Sequence, residues 1–388
     1  MPTETAAAVE MLSQLIAFPT VSETSNIDLI NYVEQYLVSH GAICTRVPSP
    51  DGRKINLYAT IGPMIAGGVV LSGHTDVVPV TGQTWTSNPF DLTERNGNLY
   101  GRGTCDMKGF LACALSLAPR MASAGLKRPV HFAFSYDEEL GCLGAPAMIE
   151  EMRQSLPTPL AVIVGEPTQN KVVSSHKGCL DFTTTVSGHS IHSSLNHRGV
   201  NAISYAAKLI SWLDDRQAEC AANTPPNDML DPAFTTFHAG LITGGTASNI
   251  VPAKCVFTTD IRSAPGESGQ HHLTAYRRFI EAELLPRMKI VWPDSRVDIE
   301  VQADIPSFDL VPDSDAERLV RGLTGDNAIR CKGSVTEAGQ FQKAGFATVI
   351  CGPGSIEQAH LPDEFVARAD IERCTEILNN LITTLATT

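Results

Sequence analysis

The chain has 388 residues, 43% hydrophobic and 18% charged, too long for one ordinary core and apolar enough to build more than one. A formal net charge of -13 argues against nucleic acid or an anionic membrane as a partner, so an anionic substrate would need a local basic clamp. No stretch approaches the apolar length that spans a bilayer.

The opening "MPTETAAAVEMLSQLIAF" lacks the basic start and cleavage site of a signal peptide and reads as an amphipathic helix. Ten cysteines are scattered without a CxxC pair, which predicts reduced, mostly buried thiols, no disulfides and a cytoplasmic protein. "VVLSGH" (69–74) predicts a strand, "DMKGFLACALSLAPRMASAG" (106–125) one long helix closed by a glycine, and "VHFAFSY" (130–136) a buried strand. "GAPAMIEEM" (144–152) reads as helix and "LAVIVGE" (160–166) as strand. Such alternation predicts an α/β fold, a mixed and largely parallel sheet covered by helices.

The texture changes near residue 178. "CLDFTTTVSG", "FTTFHAGLITGG" and "KCVFTTDIRSA" read as strands, and "GVNAISYAAKLISWLDDRQ" and "HHLTAYRRFIEAELLPRM" as helices. These make a small α+β module inserted into the first domain, which resumes with the strand "TVICGPG" and the closing helix "DIERCTEILNNLITTLA". The expected division is 1–177 and 291–388 for the main domain and 178–290 for the insert.

Four strands lead to a possible metal ligand: His74 (with Asp76 two residues on), Glu138 and Glu139, Glu166, and, through a glycine-rich loop, His360. Asp106 opens the helix between two of them. In an α/β sheet the carboxyl ends of the strands form the ligand crevice, so these residues can converge. Taken singly, "HTD" reads as a turn, Glu166 as a helix cap and "DEE" as a surface cluster; the repetition at one topological position points to a site. Two histidines with several carboxylates suit zinc, cobalt or manganese, in number enough for two ions sharing a carboxylate. With Glu138 and Glu139 on a strand, their side chains would oppose each other and could take different tasks. Asp137 has no assigned role, a cap on the following turn being its simplest reading.

"SGHTDVVPV", "LYGRGTCDMKG", "DEELGCLGA" and "GEPT", then "GHSIHSS", "RGVNAI", "ASNIVP" and "DIRSAPG", together resemble the dinuclear-zinc metallopeptidase family of acetylornithine deacetylase, succinyl-diaminopimelate desuccinylase, aminoacylase and the glutamate carboxypeptidases. The likeness runs nearly end to end, and "GPGSIEQAHLPDEF" is closest to the acetylornithine deacetylase branch. The resemblance implies a zinc-aminopeptidase-like catalytic domain and makes the insert a lid and dimerisation domain. His74, Asp106 and Glu166 would hold one Zn2+, and Asp106, Glu139 and His360 a second, with Co2+ a possible substitute. Asp76 would hydrogen-bond the far nitrogen of His74, Glu138 would be the general base, and a cis peptide would follow Asp106. In the lid, His192 would reach across a homodimer to the substrate carbonyl, aided by Asn249, and Arg262 would clamp the substrate carboxylate. Their ordinary readings are a surface histidine and a strand-end salt bridge. Gly354 would shape the substrate loop or simply make a turn. The implied reaction is removal of the acetyl group from an N-acetylated amino acid, N-acetylornithine first, in arginine biosynthesis. Alternatives are an acetylcitrulline, succinyl-diaminopimelate or other N-acyl amino acid hydrolase, a dipeptidase, or, remotely, a metal-binding dimer without catalysis. Metal chemistry already explains the neighbours of Cys105 and Cys142, so neither is expected to be a nucleophile.

Overall fold

The computed structural model describes residues 3–226 and 228–387. Contacts divide the chain into two units: Met1–Ser174 with Leu310–Arg330 and Thr336–Thr388, and Ser175–Asp309 with Cys331–Val335. The first is built on a six-stranded sheet in the order Ile43–Pro48, Ile55–Ile61, Val130–Ser135, Val69–His74, Ala161–Val164 and Thr348–Ile350. Its first two junctions are antiparallel and the other three parallel. The three middle strands are buried on both faces, as their unbroken apolar runs require. Leu12 and Leu15 of the first helix, Phe110 and Leu111 of Lys108–Ser116, and Ile371 and Leu378 of Arg368–Thr387 join Leu71 and Phe132 in one core.

Two sequence expectations are corrected. The stretch 106–125 is not one helix but two, Lys108–Ser116 and Ala118–Ser123. Pro119 has no N–H to continue the first and opens the second instead. Gly125, at φ +64°, does follow the end as a left-handed closing residue. The strand expected over 130–136 stops at Ser135, and Asp137 has φ +53°. Glu138 and Glu139 therefore lie in a turn, and strand alternation cannot explain how they part.

The second unit has a four-stranded antiparallel sheet in the order Thr236–Gly244, Lys254–Arg262, Cys179–Ser187 and Arg296–Ile305. Alternate residues of the two middle strands, such as Leu180, Phe182, Phe257 and Ile261, face helices Ala202–Asn223 and Gly269–Phe279 through Leu209, Leu213, Leu273 and Tyr276. The fourth strand carries this unit past residue 290 to Asp309. Among the described residues, no helix is long and apolar enough to cross a membrane.

Candidate metal centre

His74 is the last residue of its strand, and Glu166 stands two residues past the end of the parallel neighbour Ala161–Val164. Equal polarity brings both to one edge of the sheet. Asp106 reaches the same place from the turn before helix Lys108–Ser116, and its peptide to Met107 is cis. His74 Nε2 lies 3.0 Å from Asp106 Oδ1 and 3.9 Å from Glu166 Oε1. On the other side, His360 Nε2 lies 3.4 Å from Asp106 Oδ2 and 3.1 Å from Glu139 Oε2. Asp106 thus presents one oxygen to each group.

These spacings fit a metal. Two ligand atoms each about 2.1 Å from a tetrahedral zinc stand roughly 3.4 Å apart. Ligand atoms of His74, Asp106 and Glu139 all lie within 4.8 Å of one another. Glu139 Oε1 is buried without a hydrogen-bond partner, a costly arrangement that a cation would relieve. Burial opposes ionisation of Asp106, but hydrogen bonds from His360 and His74 outweigh it and hold its carboxyl below the usual range. Those same bonds to Asp106 and Glu139 push His360 up to about 10. Positive charge is what this cluster demands.

Asp76 serves differently from the expectation. His74 Nδ1 meets the backbone carbonyl of Asp76 at 2.9 Å, with the carboxylate farther off at 3.6 Å. The Asp76 carboxylate instead accepts from the amides of Glu138 at 3.1 Å and Glu139 at 3.3 Å, and from Ser22 Oγ at 2.7 Å. It shapes the turn that carries both glutamates. Asp137 is likewise more than a cap, because its carboxylate pairs with Lys54 and accepts from the Glu23 amide at 3.3 Å. Glu138 receives the Cys142 thiol at 3.3 Å. Loss of hydration, reinforced by Glu166, Glu139 and Asp106, raises the Glu138 pKa well above the ordinary value despite His74. Burial also pushes the Cys105 and Cys142 thiols up, away from the reactive thiolate.

Other residues of the site carry no signal in the sequence. Glu337 is buried where it accepts hydrogen bonds from Ser135 Oγ and, at 3.4 Å, from Ser72 Oγ, on the strands that lead to the glutamates and to His74. Burial pushes its carboxyl up to about 7. Two glycines beside Glu166 are required by close packing. A Cβ on Gly165 would fall 1.9 Å from the Phe110 ring, and one on Gly352 would fall 2.0 Å from the Gly165 carbonyl oxygen. Gly354 has φ +83° and packs so that a Cβ there would meet Cys105 Sγ at 2.8 Å.

His192, Asn249 and Arg262 belong to the second unit. His192 is exposed and its Nδ1 meets Ser194 Oγ at 2.8 Å. Its loop pairs with that of Asn249, whose carbonyl accepts from the Ser193 amide at 2.9 Å. Arg262 forms a fork on Asp260, two residues away on the same strand, at 2.8 to 3.0 Å. All ten cysteines are free thiols.

Comparison with known proteins follows the same lines. The chain is 35% identical to an acetylornithine deacetylase of Proteus mirabilis over 96% of its own length and 95% of that protein's. It is 36% identical to one of Photorhabdus laumondii, with 96% of each chain covered. Its fold superposes with a TM-score of 0.75 on an M20 family metallo-carboxypeptidase of Sulfolobus solfataricus, 18% identical, with 100% of both chains covered. Residues 70–384 match the family model described as peptidase family M20/M25/M40. With the match covering most of its length, the chain belongs to the M20/M25/M40 peptidase family, hydrolases of amide bonds.

Proposed function

We propose that the chain is a metal-dependent amidohydrolase that removes the acetyl group from an N-acetylated amino acid, with N-acetylornithine the leading substrate and ornithine and acetate the products. The observation that carries this reading is Asp106, one oxygen toward His74 and the other toward His360, with the Glu138 turn beside it. The identities to two acetylornithine deacetylases favour that substrate over the others of the family. His74, Asp106 and Glu166 would hold one zinc ion and Asp106, Glu139 and His360 a second, cobalt being an acceptable replacement. When bound, such ions polarise an amide carbonyl and make water a nucleophile near neutral pH.

The chain's own residues do the rest. Glu138 takes the proton of the attacking water as the C–O bond forms, then delivers it to the amine as the C–N bond breaks. Its turn is held for this by Asp76. His192 donates to the oxygen that gains negative charge. Arg262 binds the substrate α-carboxylate bidentately, exchanging Asp260 for it, which supplies the basic clamp an acidic chain needs. Asn249 and Gly354 line the substrate.

His192 and Asn249 serve the neighbouring site of a homodimer. The outer strand Thr236–Gly244 supports such pairing, because it is a sheet edge with Leu241 and Ile242 exposed. Light scattering checks the dimer, and a monomer at all concentrations would sink it. The reaction is tested with acetylornithine, acetylcitrulline, succinyl-diaminopimelate and dipeptides, with metal content measured on the same sample. Acetylornithine should be turned over fastest; a clear preference for another member of the panel would replace it.

A further inference from the structure

Arg102 and Glu364 are each only 1% exposed, and Nη1 of one meets Oε2 of the other at 2.6 Å. Burying an ion pair strips water from both charges, so such a pair adds little stability over an apolar one. What this pair does is join segments far apart in the chain. Glu364 Oε1 accepts from the amides of Cys105 at 2.9 Å and Asp106 at 3.1 Å. Arg102 Nη1 also donates to the Leu361 carbonyl at 3.2 Å, and Nη2 donates to Gln83 Oε1 at 2.6 Å. Gln83 Nε2 donates in turn to the His360 carbonyl at 2.8 Å. The Trp85 ring lies 5.0 Å from the guanidinium, and its N–H donates to Gln83 Oε1 at 3.1 Å. An unbroken relay therefore runs from the Asp106 amide to the His360 carbonyl.

The two halves of the centre need this unequally. His74 is buried at the end of a central strand and Glu166 follows another, so the sheet aims them. His360 sits in a loop between the short helix Ile356–Gln358 and the strand Phe365–Ala367, with a half-exposed side chain and φ +64°. Few non-glycine residues adopt that conformation, and it persists only where the surroundings hold it.

We propose that Arg102, Glu364 and Gln83 form a positioning relay for the half of the centre shared by Asp106 and His360. It anchors the backbone of both ligands while leaving the imidazole free to meet a metal. This rests on the metal-amidohydrolase reading. Its test is equilibrium dialysis of the full chain against zinc, comparing the native protein with Gln83→Ala, Arg102→Lys and His360→Ala. Gln83 is only partly buried, so its replacement leaves the ion pair in place. In Gln83→Ala and Arg102→Lys the second equivalent of zinc should bind about 10–100-fold more weakly, as when a ligand's outer partner is removed. The first equivalent should be unchanged; metal-free Gln83→Ala should still fold cooperatively, melting somewhat lower because Arg102 Nη2 loses its acceptor. His360→Ala should lose the second equivalent altogether. Native zinc binding in Gln83→Ala would overturn the proposal, and so would equal weakening of both equivalents. A native chain that binds no zinc would instead overturn the amidohydrolase reading, independently of any variant.

Discussion

Glu337→Gln removes a charge buried against the strands that lead to His74 and Glu138. In the folded chain that carboxyl is raised from an ordinary 4.5 to about 7, chiefly because burial strips its water. At roughly 1.4 kcal/mol for each unit of pKa, the displacement corresponds to about 3 kcal/mol. Folded protein keeps this proton to higher pH than unfolded protein. The group's contribution is thus fully present below pH 4.5 and is lost as pH rises through about 7. Glutamine has no proton to lose, and its amide can still bond the two serine hydroxyls. Urea unfolding of chelator-treated native and variant chains, from about pH 5 to about pH 8, reads the difference without a bound cation, which would alter local charge balance. The stability of Glu337→Gln relative to native should grow across that range by an amount approaching about 3 kcal/mol. A difference that stays constant with pH would refute the reasoning, since the carboxyl would then titrate alike in both states.

Glu138→Gln should retain native metal content while kcat falls about 10²- to 10⁴-fold, the usual worth of a positioned acid–base group; near-native turnover would remove Glu138 from the mechanism. Glu139→Ala should lose metal instead, read by atomic absorption on the same preparation. Gly165→Ala forces a methyl into the Phe110 ring and should destabilise by about 1–3 kcal/mol in thermal melts. In a Phe110→Ala background, which removes the clashing ring atoms, Gly165→Ala should cost less than it does in the native chain, and strictly additive losses would refute the clash. Chelation should abolish hydrolysis, and zinc or cobalt should restore it; full turnover by a chelated chain would exclude the metal reading.

The residues that form the centre were legible because the fold advertises them. Apolar runs such as "VVLSG" and "LAVIVG" are buried strands on both faces, and the polar residues that end them must emerge at one edge. Local geometry was less legible. The strand expected over 130–136 and its alternation into the two glutamates give way to a turn after Ser135, where Asp76, far away in sequence, holds the two glutamate amides. Pro119 was a readable stop that a strong helical pattern masked. Glu337 and the Arg102–Glu364 pair depend on contacts between segments that only the folded sheet brings together. No local spacing or periodicity encodes such partners. The strand Arg296–Ile305 does carry a period-two signal, with Val297, Ile299, Val301, Ala303 and Ile305 alternating with polar residues, and it takes the insert beyond the expected boundary at 290.

Gly165 and Gly352 impose different limits on how the chain beside Glu166 can evolve. The obstacle to a side chain at 165 is another side chain, the Phe110 ring, and a second substitution can shrink it. At 352 every nearest obstacle is backbone, the carbonyl groups of Gly165 and Glu166. No amino-acid change can trim a carbonyl. Position 165 therefore has suppressors within reach of mutation, whereas position 352 has none among its neighbours. Variation next to Glu166 must therefore arise at other positions, with this backbone contact held fixed.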